Sequence, residues 1–582
     1  MEIKRILCLL CLGTLVTQLQ AGQSAASAPP TGSDSATPAS SGSGSVAQVS
    51  SQELQQLREK IAQQEQAIEQ LQQSVQQQQQ LLDRATQSAA AASAAPSSSA
   101  TAEPPPAGED GPAKLVPVAN VAHPRISPVV RGGQHNIAAQ PSSLSISIGN
   151  TSITPLGFID ATFFARSTNT GTGIGSNFAT IPYNNSAAGR MSETNFSLQN
   201  SRLGFRVDSS FLGYKILGYF EGDFLGNNAP NSFVTSNSNT YRLRNFFVDA
   251  QKGSFEFLGG QDWSLFTPNR KGLSPLPSDI FTTQDMDTNY NVGFWWARQA
   301  QFRFIAHPSE HIAFGASLEN PQQYTGSFVA FPSAFSANLS SSGSSSQFNN
   351  GSTAYSAPNV APDIIFKAAY DGNLGGKHMH AEAGALIRNF RDSLPFTPSG
   401  VPATSSTPGV VYHSDTVTGV TGEVNANLEL FKNFHLIMNT FFGAGGGRYL
   451  QGNGPDVVVR ADGTISPVHT YATLDGFEAN VTKNTLISVL YGGDYFSRNS
   501  AIDANGKYIG YGYAGSPNSN NRNIQEITFD IVRTLWKSPN YGALSLIGQY
   551  SYLFREPWYV PAGGAKNART NMYYMNLRYT LP

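Results

Sequence analysis

His378, His380 and Glu382 fall on one side of an alternating stretch, with the residue types and spacing of a metal-binding strand. No fourth ligand is evident and the stretch adjoins a tight turn at 372–375, so the three read as polar residues of a wetted face. The run Gly443-Ala444-Gly445-Gly446-Gly447 has the glycine density of a phosphate loop, but neither a following helix nor a Lys-Ser/Thr pair completes it. Glycines that ease the curvature of a sheet explain it better. Serine, histidine and aspartate are all present, yet no G-x-S-x-G elbow presents a nucleophile. The two cysteines, Cys8 and Cys11, lie near the N-terminus, which leaves the rest without a disulfide, a thiolate metal site or a thiol nucleophile. No catalysis, metal or cofactor is expected. The chemistry left is that of charges placed on strand faces.

Those charges are sparse. The chain has 582 residues, 13% charged, 40% apolar and 11% aromatic, where globular domains carry about 25% charged residues. Lysine plus arginine (37) nearly balances aspartate plus glutamate (39), a net charge of -2 with no electrostatic footprint for nucleic acid. Lys4 and Arg5 precede the apolar run 6–16, and Leu19-Gln20-Ala21 suits cleavage, so residues 1–21 read as a secretory signal peptide. That run is well short of the ~20 residues a membrane-spanning helix needs, and no later stretch supplies one. Residues 22–50, rich in Ser, Ala and Gly, read as disordered. Leu54, Ile61, Ile68, Val75 and Leu82 then recur every seven residues, with Leu57, Gln64, Leu71, Gln78 and Ala85 three positions after each. This heptad pattern predicts an oligomerising coiled coil over 51–86, followed by an Ala, Ser and Pro linker over 87–142.

From Ser143 the period becomes two. In the final segment Tyr573, Met575, Leu577, Tyr579 and Leu581 share one face while Tyr574, Asn576, Arg578 and Thr580 share the other. Sixteen such segments stand at 154–166, 194–208, 213–224, 240–251, 254–264, 295–306, 310–320, 361–371, 376–390, 414–430, 433–448, 467–481, 484–496, 522–536, 541–555 and 569–581. The gaps between them alternate between very short ones, such as 252–253 and 431–432, and long ones of 13 to 40 residues. Short turns on one side and long loops on the other are the pattern of an outer-membrane barrel. Residues 143–582 are therefore predicted to form an all-β, 16-stranded antiparallel transmembrane β-barrel, preceded by the N-terminal α-helical coiled coil on the periplasmic side. Closure follows, because a sheet in lipid cannot leave backbone groups unpaired at an edge. A soluble sandwich also alternates, but its strands average about 5 to 6 residues.

The ordered pieces Ser201-Arg202-Leu203-Gly204-Phe205, Glu221-Gly222-Asp223-Phe224, Arg242-Leu243-Arg244, Gly260-Gln261-Asp262-Trp263-Ser264-Leu265-Phe266, Leu318-Glu319-Asn320-Pro321 and Gly443-Ala444-Gly445-Gly446-Gly447-Arg448-Tyr449 carry a likeness. Over roughly 150–582 the chain resembles the DcaP-like trimeric porins of Gram-negative outer membranes, a family related to the phosphate-selective porins. The resemblance implies an outer-membrane location, surrounding outer-membrane lipid, three identical chains joined by a periplasmic coiled coil, and handling by the barrel-assembly machinery. It also implies a water-filled channel for small hydrophilic solutes, above all organic anions such as carboxylates. Two departures stand out: the chain ends in Leu581-Pro582 where such barrels finish on an aromatic residue, Tyr579 being nearest, and Gln549 replaces an expected acid.

If apolar faces meet lipid, the opposite faces line the lumen. The basic candidates are then Arg202, Arg206, Lys215, Arg242, Arg244, Arg303 and Arg388, and the acidic ones Glu221, Asp223, Glu319, Asp363, Glu423 and Glu429. Opposite charges on opposite walls create a transverse field that orients carboxylate or dipolar solutes. On adjacent strands they brace the wall instead, and both readings stay open for each residue. In trimeric porins the third long loop folds into the lumen; here it is 265–294, with Arg270, Lys271, Asp279, Asp285 and Asp287 as constriction candidates facing Arg202, Arg242, Arg244 or Arg303. The rival readings are a phosphate- or carbohydrate-selective porin, an outer-membrane barrel enzyme, and a stalked structural or adhesive protein.

Overall fold

The structure, a computed structural model, describes residues 142–226, 237–281, 283–326, 328–339, 347–348 and 359–582. The predicted signal peptide, disordered segment, coiled coil and all but the last residue of the linker lie outside them.

Among the described residues, sixteen antiparallel strands pair in chain order and close on themselves. They are β1 (Thr151–Arg166), β2 (Glu193–Ser197 and Arg202–Phe211), β3 (Tyr214–Asp223), β4 (Arg242–Lys252), β5 (Phe255–Trp263), β6 (Arg298–Ala306), β7 (Ile312–Glu319) and β8 (Asp363–Leu374). The second half comprises β9 (Lys377–Arg391), β10 (Thr416–Phe431), β11 (Phe434–Ala444), β12 (His469–Thr482), β13 (Thr485–Phe496), β14 (Asn521–Ser538), β15 (Gly542–Pro557) and β16 (Ala568–Thr580). The last strand pairs back onto the first, from Phe158↔Thr580 to Arg166↔Met572, while both parts of β2 hold the other edge of β1. That pairing leaves the sheet without an open edge. A short extra strand, Ile146–Ile148, doubles the first residues of β1.

Alternation explains the wall. Outward-pointing Phe257, Phe302, Val420, Val489, Phe529 and Leu577 are exposed, while their inward neighbours Glu256, Arg303, Thr421, Ser488, Asp530 and Arg578 are buried. Large apolar residues outside and charges inside reverse the usual distribution in a water-soluble domain. Short turns on one side fix the strand register. Leu212 (φ 50) and Gly213 (φ 81), for example, make a two-residue left-handed turn that pairs Phe211 with Tyr214. The wall is uneven in height: β5, β6 and β7 have 9, 9 and 8 residues, β14 and β15 have 18 and 16.

Three expectations need correction. The segment 194–208 is not continuous: the chain turns through Leu198–Ser201, and the Ser201 hydroxyl accepts the Asp160 N–H at 3.0 Å. The segment 433–448 stops at Ala444, because Gly445 (φ 84) turns the chain into the short 3-10 turn Gly447–Tyr449. Nor is the inward face polar throughout. Ile305, Ala313, Ile365, Leu386, Phe441, Ala472 and Ile547 point inward into an apolar cluster, because loops as well as charges occupy the interior.

Candidate functional site in the barrel interior

The third long loop, 264–297 between β5 and β6, enters the interior and is tied to walls on every side. Its base is closed by the Ser264 N–H donating to the Ala297 carbonyl at 2.8 Å. Wall carboxylates then capture its backbone amides. Leu265 N donates to Glu319 at 2.8 Å, Asn269 N to Glu382 at 2.9 Å, Gly272 N to Asp371 at 2.5 Å and Val292 N to Glu526 at 2.8 Å. Arg270 forms a bidentate pair with Glu478 on β12, both contacts 2.6 Å, and Lys367 of β8 donates to the Thr267 carbonyl at 2.8 Å. Gln549, where an acid was expected, accepts the Met286 N–H at 2.6 Å. Near the far end the loop backbone lies against β13: a Cβ on Gly492 would come within 1.9 Å of the Val292 carbonyl oxygen, so only glycine fits there.

Apolar residues of the same loop explain the inward apolar wall. Leu265, Phe266, Leu273 and Trp295 join Ile305, Ala313, Ile365, Leu386 and Phe441 in one buried cluster. Trp295 is fully buried; its indole N–H donates to Glu423 at 2.7 Å and to the Phe266 carbonyl at 2.9 Å. The sequence starts a strand at 295, but β6 begins at Arg298, because Trp295 is drawn into the interior cluster. A second segment, 445–468 between β11 and β12, also folds inward. Arg388 pairs there with Asp363 at 3.2 Å and Asp456 at 2.7 Å, while Arg448 and the Tyr449 hydroxyl reach Asp363 at 3.0 and 3.1 Å.

Asp285 and Asp287 shape the loop rather than face the predicted arginines. The Asp285 carboxylate accepts the Asp287 N–H at 2.8 Å and Asp287 accepts the Asn289 N–H at 2.9 Å, successive side-chain turns that curl 285–289. Asp287 also accepts Ser176 N at 3.0 and 2.9 Å and the Tyr574 hydroxyl at 3.1 Å. Burial, reinforced by the Glu526, Asp530 and Asp287 carboxylates, pushes the Asp285 carboxyl well above the usual carboxylate range. Burial raises Asp287 as well, against the opposing Arg166 cation. The loop residue that meets the arginine face is instead Tyr290, which sequence reasoning missed. Its hydroxyl lies 3.4 Å from both Arg202 Nη2 and Arg244 Nη2. Tyr290 holds φ 67, a conformation that costs a bulky residue about 1–3 kcal/mol.

That arginine face spans β2 to β4. Arg242 is bidentate to Asp223 at 3.0 and 2.9 Å, and Arg244 bridges Glu221 at 2.9 Å and Asp223 at 2.7 Å. Arg202 stands 3.7 Å from Glu221. Arg244 is buried, whereas the Arg242 side chain is 42% exposed. The other candidates are dispersed. Arg206 pairs with Asp208 two residues away, 2.6 Å apart, and Lys215 is exposed at the turn end of β3. Arg303 donates to the Trp263 carbonyl at 2.6 Å and to Gln301, with Asp262 at 3.5 Å. Lys271 is exposed, Asp279 is half-buried with its backbone carbonyl accepting Arg270 N, and Glu429 accepts His378 N and Asn433 N at a turn. His380 lies between Asp371 and Glu382 at 3.0 and 3.4 Å, and Lys367 bridges Glu382 at 2.9 Å and Glu423 at 3.2 Å. The predicted constriction candidates therefore do not assemble as one ring. Arg202, Arg242 and Arg244 converge with Glu221 and Asp223, Arg303 stands apart, and the loop carboxylates serve as anchors.

No protein-family model matches the sequence, and no curated protein matches it. Among solved structures, the chain is similar to the outer membrane channel DcaP of Acinetobacter baumannii, with a TM-score of 0.53 and 17% identity over 75% of this chain and 98% of that one. It is also similar to an anion-selective porin from Comamonas acidovorans, with a TM-score of 0.41 and 12% identity over 74% of this chain and 99% of that one. The first likeness is one of fold: the chain shares the barrel architecture of the DcaP channel.

Proposed function

We propose that this chain is an outer-membrane porin of the DcaP-like kind, a water-filled channel for passive diffusion of small hydrophilic solutes that favours organic anions such as carboxylates. The observation that carries the reading is the closed barrel whose exposed face is apolar and whose interior holds the charges. Such a surface is stable against hydrocarbon, and loops tied across the interior narrow the passage as a constriction does. The anion preference rests on Arg202, Arg242 and Arg244 gathered beside Tyr290. Assembly as a trimer is supported by the low wall: the 8-residue β7, tilted about 40°, rises only ~20 Å, short of the ~25 Å apolar band. Outward Phe257, Phe302, Phe304 and Phe314 on that wall are proposed to meet other copies rather than lipid. The N-terminal coiled coil is proposed to lie in the periplasm and the barrel in the outer membrane.

Reversal potentials in a salt gradient test the anion assignment. Replacing both Arg242 and Arg244 with glutamine leaves Glu221 and Asp223 without their main counter-charges. The anion-to-cation permeability ratio is expected to fall about ten-fold; an unchanged ratio discards these residues as selectors. In the same recordings a trimer closes in three equal steps.

A further inference from the structure

Arg298, at the start of β6, has the strand parity of outward Phe302 and Phe304, yet its guanidinium packs on the buried Trp263 ring that Arg244 also approaches, at 5.8 Å. Among the described residues the Arg298 side chain makes no hydrogen bond or ion pair, and its Nη1 is buried without a partner. Its guanidinium lies instead 5.2 Å from the ring centroid of Trp263 and 5.1 Å from that of Trp296. The side chain is partly exposed and within electrostatic reach of Arg242, Arg244, Tyr290 and Asp223. The Nε of Arg202, whose Nη2 lies 3.4 Å from the Tyr290 hydroxyl, is likewise buried and unpartnered. Glu221 and Asp223 already serve Arg202, Arg242 and Arg244, so four cations here share two carboxylates. Burial alone would push the Tyr290 phenol up, yet the Arg202, Arg244 and Arg298 cations hold it below its ordinary value. The place has an excess of positive charge and guanidinium donors awaiting an acceptor.

We propose that Arg298 is a further specificity-determining residue of the channel, beside Arg242 and Arg244, receiving the carboxylate of a passing solute on its free donors. The two indoles hold the guanidinium plane in place, so that little rotamer freedom is lost when the carboxylate arrives. Arg202 and Arg244 add attraction without being fully available, because acids already occupy them. A planar fork suits a carboxylate, whose two oxygens accept parallel N–H bonds, better than a halide. This role rests on the anion-channel reading and adds, to the field that Arg202, Arg242 and Arg244 set, a guanidinium whose donors are free to meet the carboxylate. The residue escapes a sequence reading because it stands at the first position of its strand, behind a Trp-Trp pair that reads as more strand.

The test uses the full-length protein in planar bilayers with potassium gluconate gradients, comparing wild type, R298Q and R298K. R298Q is expected to lower the gluconate-to-potassium permeability ratio about three-fold, with R298K retaining most of it. Sucrose entry into proteoliposomes should stay at the wild-type rate in all three, since a neutral solute gains nothing from the charge. An R298Q ratio equal to that of wild type overturns the assignment, as does a parallel loss of sucrose entry, which would mean general distortion. A wild-type channel that prefers potassium would instead sink the anion-channel reading itself.

Discussion

Trp295→Ala is expected to destabilise the folded barrel by about 3–5 kcal/mol and to raise its single-channel conductance about two-fold. The indole is fully buried, packs against Phe441 with ring centroids 5.5 Å apart, and donates to both Glu423 and the Phe266 carbonyl. Truncation opens a cavity between the inward loop and the wall and removes a donor from a buried carboxylate that keeps only Asn425 and Lys367. The two ends of the loop then lose the side chain that joins them and keep only the backbone bond from Ser264 to Ala297. Urea titration of the protein refolded into vesicles measures the first effect and bilayer recording the second. A destabilised barrel with wild-type conductance would show that segment 264–297 does not narrow the path.

Phe529→Arg, placed on the outward face at the middle of β14, is expected to destabilise the vesicle-embedded barrel by about 2–4 kcal/mol. Phe529 is exposed, flanked across the ladder by Val489 and Tyr550, and its neighbours along the strand on the same face are Ile527 and Ile531. A guanidinium there must enter hydrocarbon or distort the bilayer. The same substitution on a surface facing water would change stability by no more than about 0.5 kcal/mol. Equilibrium refolding in vesicles distinguishes the two outcomes, and a negligible change would place β14 against water or protein.

The barrel was legible in the sequence because its signal is local. Period two and the alternation of short and long gaps depend only on neighbours in the chain, and the strand limits fall within a few residues of those expected, as for 569–581 against Ala568–Thr580. The breaks at Leu198–Ser201 and after Ala444 escaped, because one depends on a backbone N–H of another strand, which the Ser201 hydroxyl accepts, and the other on what fills the interior. The interior itself was least legible. Sorting residues by polarity assumes that every inward side chain meets water, so Ile365 and Leu386 carried no sign that a loop packs on them. Glu319, expected to line the lumen, holds the Leu265 amide, and Asp285 and Asp287 curl their own loop. Tyr290 comes to the arginine face only through tertiary placement of a segment that has no periodicity of its own. The arginine and acid positions on β2, β3 and β4 were legible because strand parity alone fixes which way they point.

The most direct measurement is electrical: the purified full chain is added to a planar phospholipid bilayer at neutral pH and the current is followed under a constant voltage. A barrel with its apolar face in lipid and a wet charged interior gives discrete, ohmic conductance steps that persist. A membrane that stays silent, while flotation shows the folded protein inserted in vesicles of the same lipid, would contradict a solute-passing interior.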